Sequence, residues 1–280
     1  MAQSKHQIEA LLAEAGSHPR HRFGQNFMID QNLVRLVAEA GDVARGDLVV
    51  EVGPGTGTLT EELLERSDEV VVVEIDRDLA TVLRRRFAQR SNFRLVEGDA
   101  LAGKHELNGE LLALLRGAAN RGRPAKLVAN LPYNIASPLV IGLLIEGVQT
   151  LAFTVQKEVA DRLRAAAGGE AYGPLTVMVQ LMANVEVLRN LPPQAFWPAP
   201  KIDSSLVRLT RDDRLSELAR PFGRFVHALF SFRRKTLRRA LSQAEYNADA
   251  ALAETGFDGQ LRPETFTPDQ LLHLFRAVSK

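Results

Sequence analysis

The sequence predicts an α/β fold: a doubly wound, mostly parallel sheet covered by helices, followed by a small C-terminal helical domain. Three observations predict it. Short apolar runs of strand length alternate with segments of helical periodicity, the rhythm of strand–helix–strand units whose strands run parallel. A glycine-rich loop joins an early strand to the helix after it, as in sheets that bind ligands at their strand ends. After about Arg211 the strand signal stops and the rest reads as helical.

Each element has a local reason. Asp30 caps a helix over 31–40 whose inner face carries Leu33, Val34, Leu36 and Val37. Leu48 to Val52 is an apolar run closed by glycines, a buried strand. Thr58 and Glu61 have the spacing of a capping box and open the next helix. Val70–Val73 is a second strand, and Arg77–Gln89 a helix. Phe93–Val96 and Lys126–Ala129 are two more strands. Between them, 102–125 breaks the rhythm with a helical stretch, Glu110–Leu115, and a Gly/Arg/Asn-rich tail, a surface excursion of no evident role. Ser137-Pro138 reads as an N-cap with Pro at the first helical position. Leu151–Val155 is a strand and 157–166 a helix, and Val185–Leu188 and Ser205–Leu209 add edge strands. The expected division is one domain over 1–211 and a helical one over 212–280.

Composition narrows the function. The chain has 280 residues, 45% hydrophobic and 25% charged, enough apolar content for a sizeable core. No apolar run approaches a membrane span, and the N-terminal stretch lacks the apolar core of a signal peptide, so a cytoplasmic protein with no membrane partner is expected. The absence of cysteine excludes disulfides, thiolate metal sites and a cysteine nucleophile. The six histidines show no metal-ligand spacing, so no metal is expected. Net charge is only +1, but residues 218–244 hold Arg220, Arg224, Arg233, Arg234, Lys235, Arg238 and Arg239 and no acid. With a smaller cluster at His18, Arg20, His21 and Arg22, this suggests a polyanion partner; a solvated helix face is the plainer reading of 233–239.

The loop Glu51-Val-Gly53-Pro-Gly55-Thr-Gly57 lets a ligand approach the backbone closely. A dinucleotide site wants its third glycine where Thr58 stands, and the Gly-Lys-Ser/Thr of a phosphate loop is missing. Glu74 ends the next strand, where a carboxylate can accept both hydroxyls of a ribose. A cofactor with a ribose and no phosphates fits, and S-adenosylmethionine is such a molecule. Asp99 either hydrogen-bonds the cofactor's adenine amine or makes a turn. Glu51 either holds the methionine end or satisfies loop amides.

Residues 130–133, Asn-Leu-Pro-Tyr, end the strand beside that loop. The exocyclic amine of adenine is a poor nucleophile because its lone pair is delocalised into the ring. Hydrogen bonds from the amine to the Asn130 side-chain oxygen and the Leu131 carbonyl favour a tetrahedral nitrogen and localise the lone pair. Pro132 fixes the turn, and Tyr133 can stack on the base. Without a base, the same tetrapeptide is a strand-to-loop turn with a half-buried Tyr. Phe196, in a rigid Phe-Trp-Pro-Ala-Pro-Lys loop, is either the second wall of a base sandwich or a packing anchor.

Eight motifs in order resemble the bacterial small-subunit ribosomal RNA adenine dimethyltransferase family: 21–27 (HRFGQNF), 51–57, 74–76, 98–99, 130–133, 156–159 (QKEV), 196–204 and 230–235 (FSFRRK). The resemblance covers most of the chain. It implies a Rossmann-like S-adenosylmethionine-dependent methyltransferase domain with a small helical domain. It implies cofactor contacts at Asn26, Met28 (through its backbone), Gly53, Glu74, Asp99 and Asn130. It implies a methyl-acceptor site at Asn130, Leu131, Pro132 and Tyr133, with Phe196 stacking. The expected substrate is two adjacent adenosines near the 3′ end of small-subunit (16S) ribosomal RNA in a 30S precursor. Arg22, Arg233, Arg234, Lys235 and Arg238 are expected to bind that RNA, and the free protein to be a monomer. The rival readings are a large-subunit RNA methyltransferase of the antibiotic-resistance type, a non-catalytic ribosome-assembly factor, and a DNA adenine methyltransferase. The last lacks an obvious domain for reading duplex DNA.

Overall fold

The structure is a computed structural model that describes residues 3–20, 23–103, 106–212 and 214–279. Arg22 and its neighbour His21 lie outside the described residues. In chain order the strands are β1 (Phe27–Met28), β2 (Leu48–Val52), β3 (Glu69–Glu74), β4 (Phe93–Glu97), β5 (Leu101–Gly103), β6 (Glu106–Leu107), β7 (Ala125–Asn130), β8 (Thr150–Gln156), β9 (Ala183–Leu191), β10 (Phe196–Trp197) and β11 (Ser204–Arg211). The helices are α1 (Lys5–Glu14), α2 (Gln31–Ala40), α3 (Thr58–Arg66), α4 (Arg77–Arg86), α5 (Gly109–Asn120), α6 (Ala136–Ile145), α7 (Lys157–Leu163), α8 (Pro174–Met182), α9 (Ala219–Ser231), α10 (Leu237–Gln243), α11 (Ala248–Thr255) and α12 (Pro268–Val278).

Among the described residues, seven strands form one sheet in the order β4-β3-β2-β7-β8-β11-β9. The five from β4 to β8 run parallel, and β11 is antiparallel to β8. The interiors of β2, β3, β7 and β8 are mostly Val, Leu, Ala and Phe, interrupted by Glu51, Lys126 and Thr154, because helices cover both faces of a parallel sheet. From β2 the chain steps outward through β3 to β4, then returns to place β7 on the other side of β2. That reversal makes β2/β7 the switch point, and the crevice outside its carboxyl ends is the ligand position of such sheets. Smaller two-stranded pairs join β1 to β10, with Met28 opposite Phe196, and β5 to β6.

Two local expectations change. Thr58 and Glu61 do not cap α3. The preceding residue is Gly57 in the left-handed region (φ 84°), with no side-chain cap. The Thr58 hydroxyl is drawn instead into a buried polar cluster with Gln3, and Glu61 pairs with Arg86 at 3.0 Å. α6 starts at Ala136, so Ser137 lies inside its first turn rather than at its cap.

The chain forms two compact units, 1–160 with 186–211 and 161–185 with 212–280. Segment 161–185, which sequence pattern alone placed with the sheet, packs with the C-terminal helices. The reason is α8: Thr176 to Val179, Leu181 and Met182 are all buried, and the helix packs on α9 and α12. The core of this unit is aromatic, with Phe222 edge-on to Phe275 and Phe225 edge-on to Tyr246 at ring separations of 5.5 and 5.3 Å. Among the described residues, no helix is long and apolar enough to cross a membrane.

Candidate active site

The cleft lies at the carboxyl ends of β2, β3, β4 and β7. About 910 Å³ of space lies in and in front of it, part of it open solvent. Asn26, Met28, Gly53, Glu74, Asp99 and Asn130, the six positions expected to hold a cofactor, all line it. Pro132 lines it too.

The glycine loop is shaped by close approach. Gly53 has φ 71°, and a Cβ there would stand 3.0 Å from the Pro132 ring. Gly55 has φ 62°, and its Cβ would fall 2.8 Å from the Phe27 ring. Both positions therefore need glycine for conformation and for space. The loop is thus pressed between the Asn-Leu-Pro-Tyr turn and β1.

Glu74 is buried and fixes the same loop. Its Oε2 accepts from the Gly55 amide (3.2 Å) and its Oε1 from the Asp76 amide (2.9 Å). Burial raises its pKa to about 7 against the pull of those amides. Glu51, deeper in the cleft, accepts from the Thr60 hydroxyl at 2.6 Å. Burial, with the Glu74 charge adding to it, raises the Glu51 pKa to about 8. Two buried carboxyl groups, each raised above its ordinary pKa by desolvation, thus stand at the cleft. Asp99 is exposed at the rim, its Oδ1 accepting from the Leu101 amide at 3.0 Å. The turn and the ligand contact expected of it are compatible, since its other oxygen has no partner among the described residues.

Asn130 ends β7 with its amide held at both ends. Nδ2 donates to the Asn26 carbonyl at 2.7 Å, and Oδ1 accepts from the Thr154 hydroxyl at 2.5 Å. The Leu131 side chain is buried, anchoring the turn. The Tyr133 hydroxyl bonds the buried Ser204 hydroxyl at 2.7 Å, and burial raises its pKa.

Phe196 is placed as a packing anchor. It is 2% exposed, in one apolar cluster with Met28, Leu191 and Leu206. A ring so covered offers no face to a base, so the expected second wall is not formed by Phe196 as it stands. The covering follows from the β1–β10 pairing, which lays its strand against β1.

The basic clusters also divide. Arg20 is not free for a polyanion: it pairs with Asp76 (2.9 Å) and Asp78 (2.5 Å), with Gln25 bonding the other Asp76 oxygen at 3.1 Å. This ties residues 20–25 to the turn after Glu74. Arg238 is engaged by Asp249. Arg233, Arg234 and Lys235 are exposed on the turn between α9 and α10 and have no carboxylate partner among the described residues.

Pattern reading missed three groups. Thr154 and Ser204 are hydroxyls in buried strands, and a buried hydroxyl must find a partner, which was the available signal. Gln3, also buried, gave none. With its amide set to satisfy its partners, it donates to the Thr56 and Thr58 hydroxyls (2.5 and 2.8 Å) and accepts from Arg86. The N-terminal segment is thereby fastened behind the glycine loop, and α1 buries Ile8 and Leu12 against Phe27 and Leu79.

A mostly parallel seven-stranded sheet with this switch-point cleft is a Rossmann-like methyltransferase fold. Two solved structures share it. One is the 23S rRNA methyltransferase ErmE, 27% identical, TM-score 0.64, covering 91% of this chain and all of that one. The other is a dimethyladenosine transferase from Plasmodium falciparum, 24% identical, TM-score 0.69, covering 89% of this chain and 95% of that one. The model of the ribosomal RNA adenine dimethylase family matches residues 16–280. Ribosomal RNA small subunit methyltransferase A of Magnetococcus marinus is 42% identical over 273 residues, 95% of this chain and 94% of that protein. The chain belongs to the ribosomal RNA adenine dimethylase family.

Proposed function

We propose that the chain dimethylates the N6 amino groups of two adjacent adenosines near the 3′ end of small-subunit ribosomal RNA, in a 30S precursor, with S-adenosylmethionine as donor. The observation that carries this reading is the juxtaposition in one cleft of a buried carboxylate at the end of β3, bonded to the glycine loop, and an amide locked at the end of β7. The family's small-subunit relatives support the choice of substrate.

The residues present fit the cofactor. Glu74 has both oxygens pinned by backbone amides yet retains lone pairs for two ribose hydroxyls. Asp99 reaches the adenine amine from the rim. The amino end of α3 has no side-chain cap, so its N–H groups remain available at the cleft to a carboxylate. When bound, S-adenosylmethionine supplies a methyl group on a sulfonium.

The chain's own residues prepare the acceptor. The Asn130 oxygen and the Leu131 carbonyl accept hydrogen bonds from the adenine amine and draw its nitrogen toward tetrahedral geometry. Tyr133, its ring oriented through Ser204, stacks on the base. Catalysis is positioning and electrostatics, and no strong base is required at an amine that turns cationic on methylation. Phe196 joins the stack only if the 196–203 loop shifts.

The exposed Arg233-Arg234-Lys235 turn binds RNA phosphates. Replacing all three with Ala is expected to weaken binding to small subunits and flatten its salt dependence. Every phosphate left without its cation lowers the log–log slope by about 0.7–0.9, so three lower it by about 2–3. An unchanged slope, read by filter binding over a salt series, contradicts this face.

We place the protein in the cytoplasm and as a monomer when free. Expression in a strain whose small subunits lack the modification tests the function. Dimethyladenosine restored in small-subunit RNA is the expected result. Macrolide resistance with an unmodified small subunit would move the assignment to large-subunit RNA.

A further inference from the structure

Thr154 stands in the middle of β8, in the otherwise apolar run Leu151–Val155, and is fully buried. It lies directly across from Asn130 in the β7–β8 ladder, so the two side chains share one face of the sheet. Its hydroxyl donates to Asn130 Oδ1 at 2.5 Å. The other end of that amide donates to the Asn26 carbonyl at 2.7 Å. A backbone carbonyl only accepts, so the nitrogen end must face Asn26 and the oxygen end must face Thr154. The amide is therefore fixed in rotation and in flip by two partners that come from other segments of the chain.

An amide oxygen has two acceptor positions. Thr154 occupies one from inside the sheet, and the second remains for a ligand in the cleft. We propose that Thr154 is a positioning residue for methyl transfer: its hydroxyl sets the Asn130 amide so that the free acceptor position of Oδ1 meets the amine of the target base. This rests on the reading of Asn130 as the acceptor of that amine. Without the hydroxyl, Oδ1 has no buried partner, and only the Asn26 bond holds the plane of the amide. Misplacement of about 1 Å in such a group costs about 10²-fold in rate.

The test compares Thr154→Val, Thr154→Ala and Thr154→Ser with wild type and Asn130→Ala. Valine keeps the shape and removes the donor, alanine removes the donor and leaves space, and serine keeps the donor. Single-turnover transfer of labelled methyl to unmodified small subunits gives the rate, calorimetry gives cofactor affinity, and a thermal melt reports folding. The expected result is a fall of about 10- to 100-fold in rate for Val and Ala. Cofactor affinity and small-subunit KM should stay within about threefold, and Ser should return to near the wild-type rate. A wild-type rate in folded Val or Ala variants overturns the proposal. So does a loss that Ser does not recover, or one that tracks cofactor affinity and melting temperature, since a merely structural hydroxyl would give that pattern. If the Val variant does not fold, the Ala and Ser variants decide. If Asn130→Ala itself stays active, the underlying reading of the site has failed. If Asn130→Ala is inactive and Val is normal, only the role of Thr154 has failed.

Discussion

Replacing Asn130 with Ala is expected to lower the rate of methyl transfer by about 10²–10³-fold, the usual cost of removing one preorganised polar group from a reacting centre. The loss should fall mainly on kcat. Asn130 also lines the cofactor cleft, so a rise of a few-fold in cofactor Kd is expected beside it. The fold should survive, since Asn130 sits at the end of β7 and its removal leaves only the Thr154 hydroxyl and the Asn26 carbonyl to re-pair. Single-turnover transfer to unmodified small subunits, with calorimetric titration of the cofactor, separates the two effects. A variant that transfers methyl at the wild-type rate removes the amide from the chemistry.

Replacing Glu74 with Ala is expected to weaken cofactor binding by about 10²-fold or more. Hydrogen bonds to a charged acceptor are worth about 1.5–3 kcal/mol each; Glu74 shapes the glycine loop and, in the proposed function, also accepts from the ribose. Binding should also depend on pH. Burial raises the Glu74 pKa to about 7, and the ionised form is the better acceptor. Cofactor affinity is therefore expected to rise between pH 6 and pH 8, with proton release on binding in the lower half of that range. The free protein should show the opposite trend in stability. From the ordinary value of 4.5 up to about 7, folded Glu74 keeps a proton that the unfolded chain has released. Stability thus falls as pH rises through this window, and Glu51, raised to about 8, extends the fall. Calorimetry across the range, and melts of the free protein and of Glu51→Gln, check both signs. A pH-independent affinity with Glu74 intact would remove the carboxylate from the ribose contact.

What was legible in the sequence, and what was not, divides along a physical line. The strands, the glycine loop, Glu74 and the Asn130 turn could be read because each is a local signal, an apolar run stopped by a residue that cannot continue it. Gly53, Glu74, Asp99 and Asn130 line one cleft because the doubly wound topology brings the strand ends together, whereas Asn26 and Met28 reach it from the separate β1–β10 pair. Partners set by non-local packing could not be read. Thr154 meets Asn130 only through the β7–β8 register, which no local pattern states. Thr58 looked like a cap until Gln3, 55 residues away, claimed its hydroxyl. Phe196 could be a wall or an anchor until the pairing of β10 with β1 covered its ring. Segment 161–185 follows the sheet in sequence, but α8 is apolar on faces that α9 and α12 bury. Charge was legible as composition and not as availability. Arg20 and Arg238 are answered by Asp76, Asp78 and Asp249, whereas the 233–235 turn is left without carboxylates among the described residues.

The most direct test of the account is transfer of labelled methyl from S-adenosylmethionine to purified small subunits that lack the modification, with large subunits and DNA in parallel and the product nucleosides identified after nuclease digestion. The account expects label in N6,N6-dimethyladenosine from the small subunit alone, and none with Asn130→Ala. No label on any substrate, with small-subunit binding retained, would contradict it and leave an RNA-binding assembly factor on a methyltransferase fold.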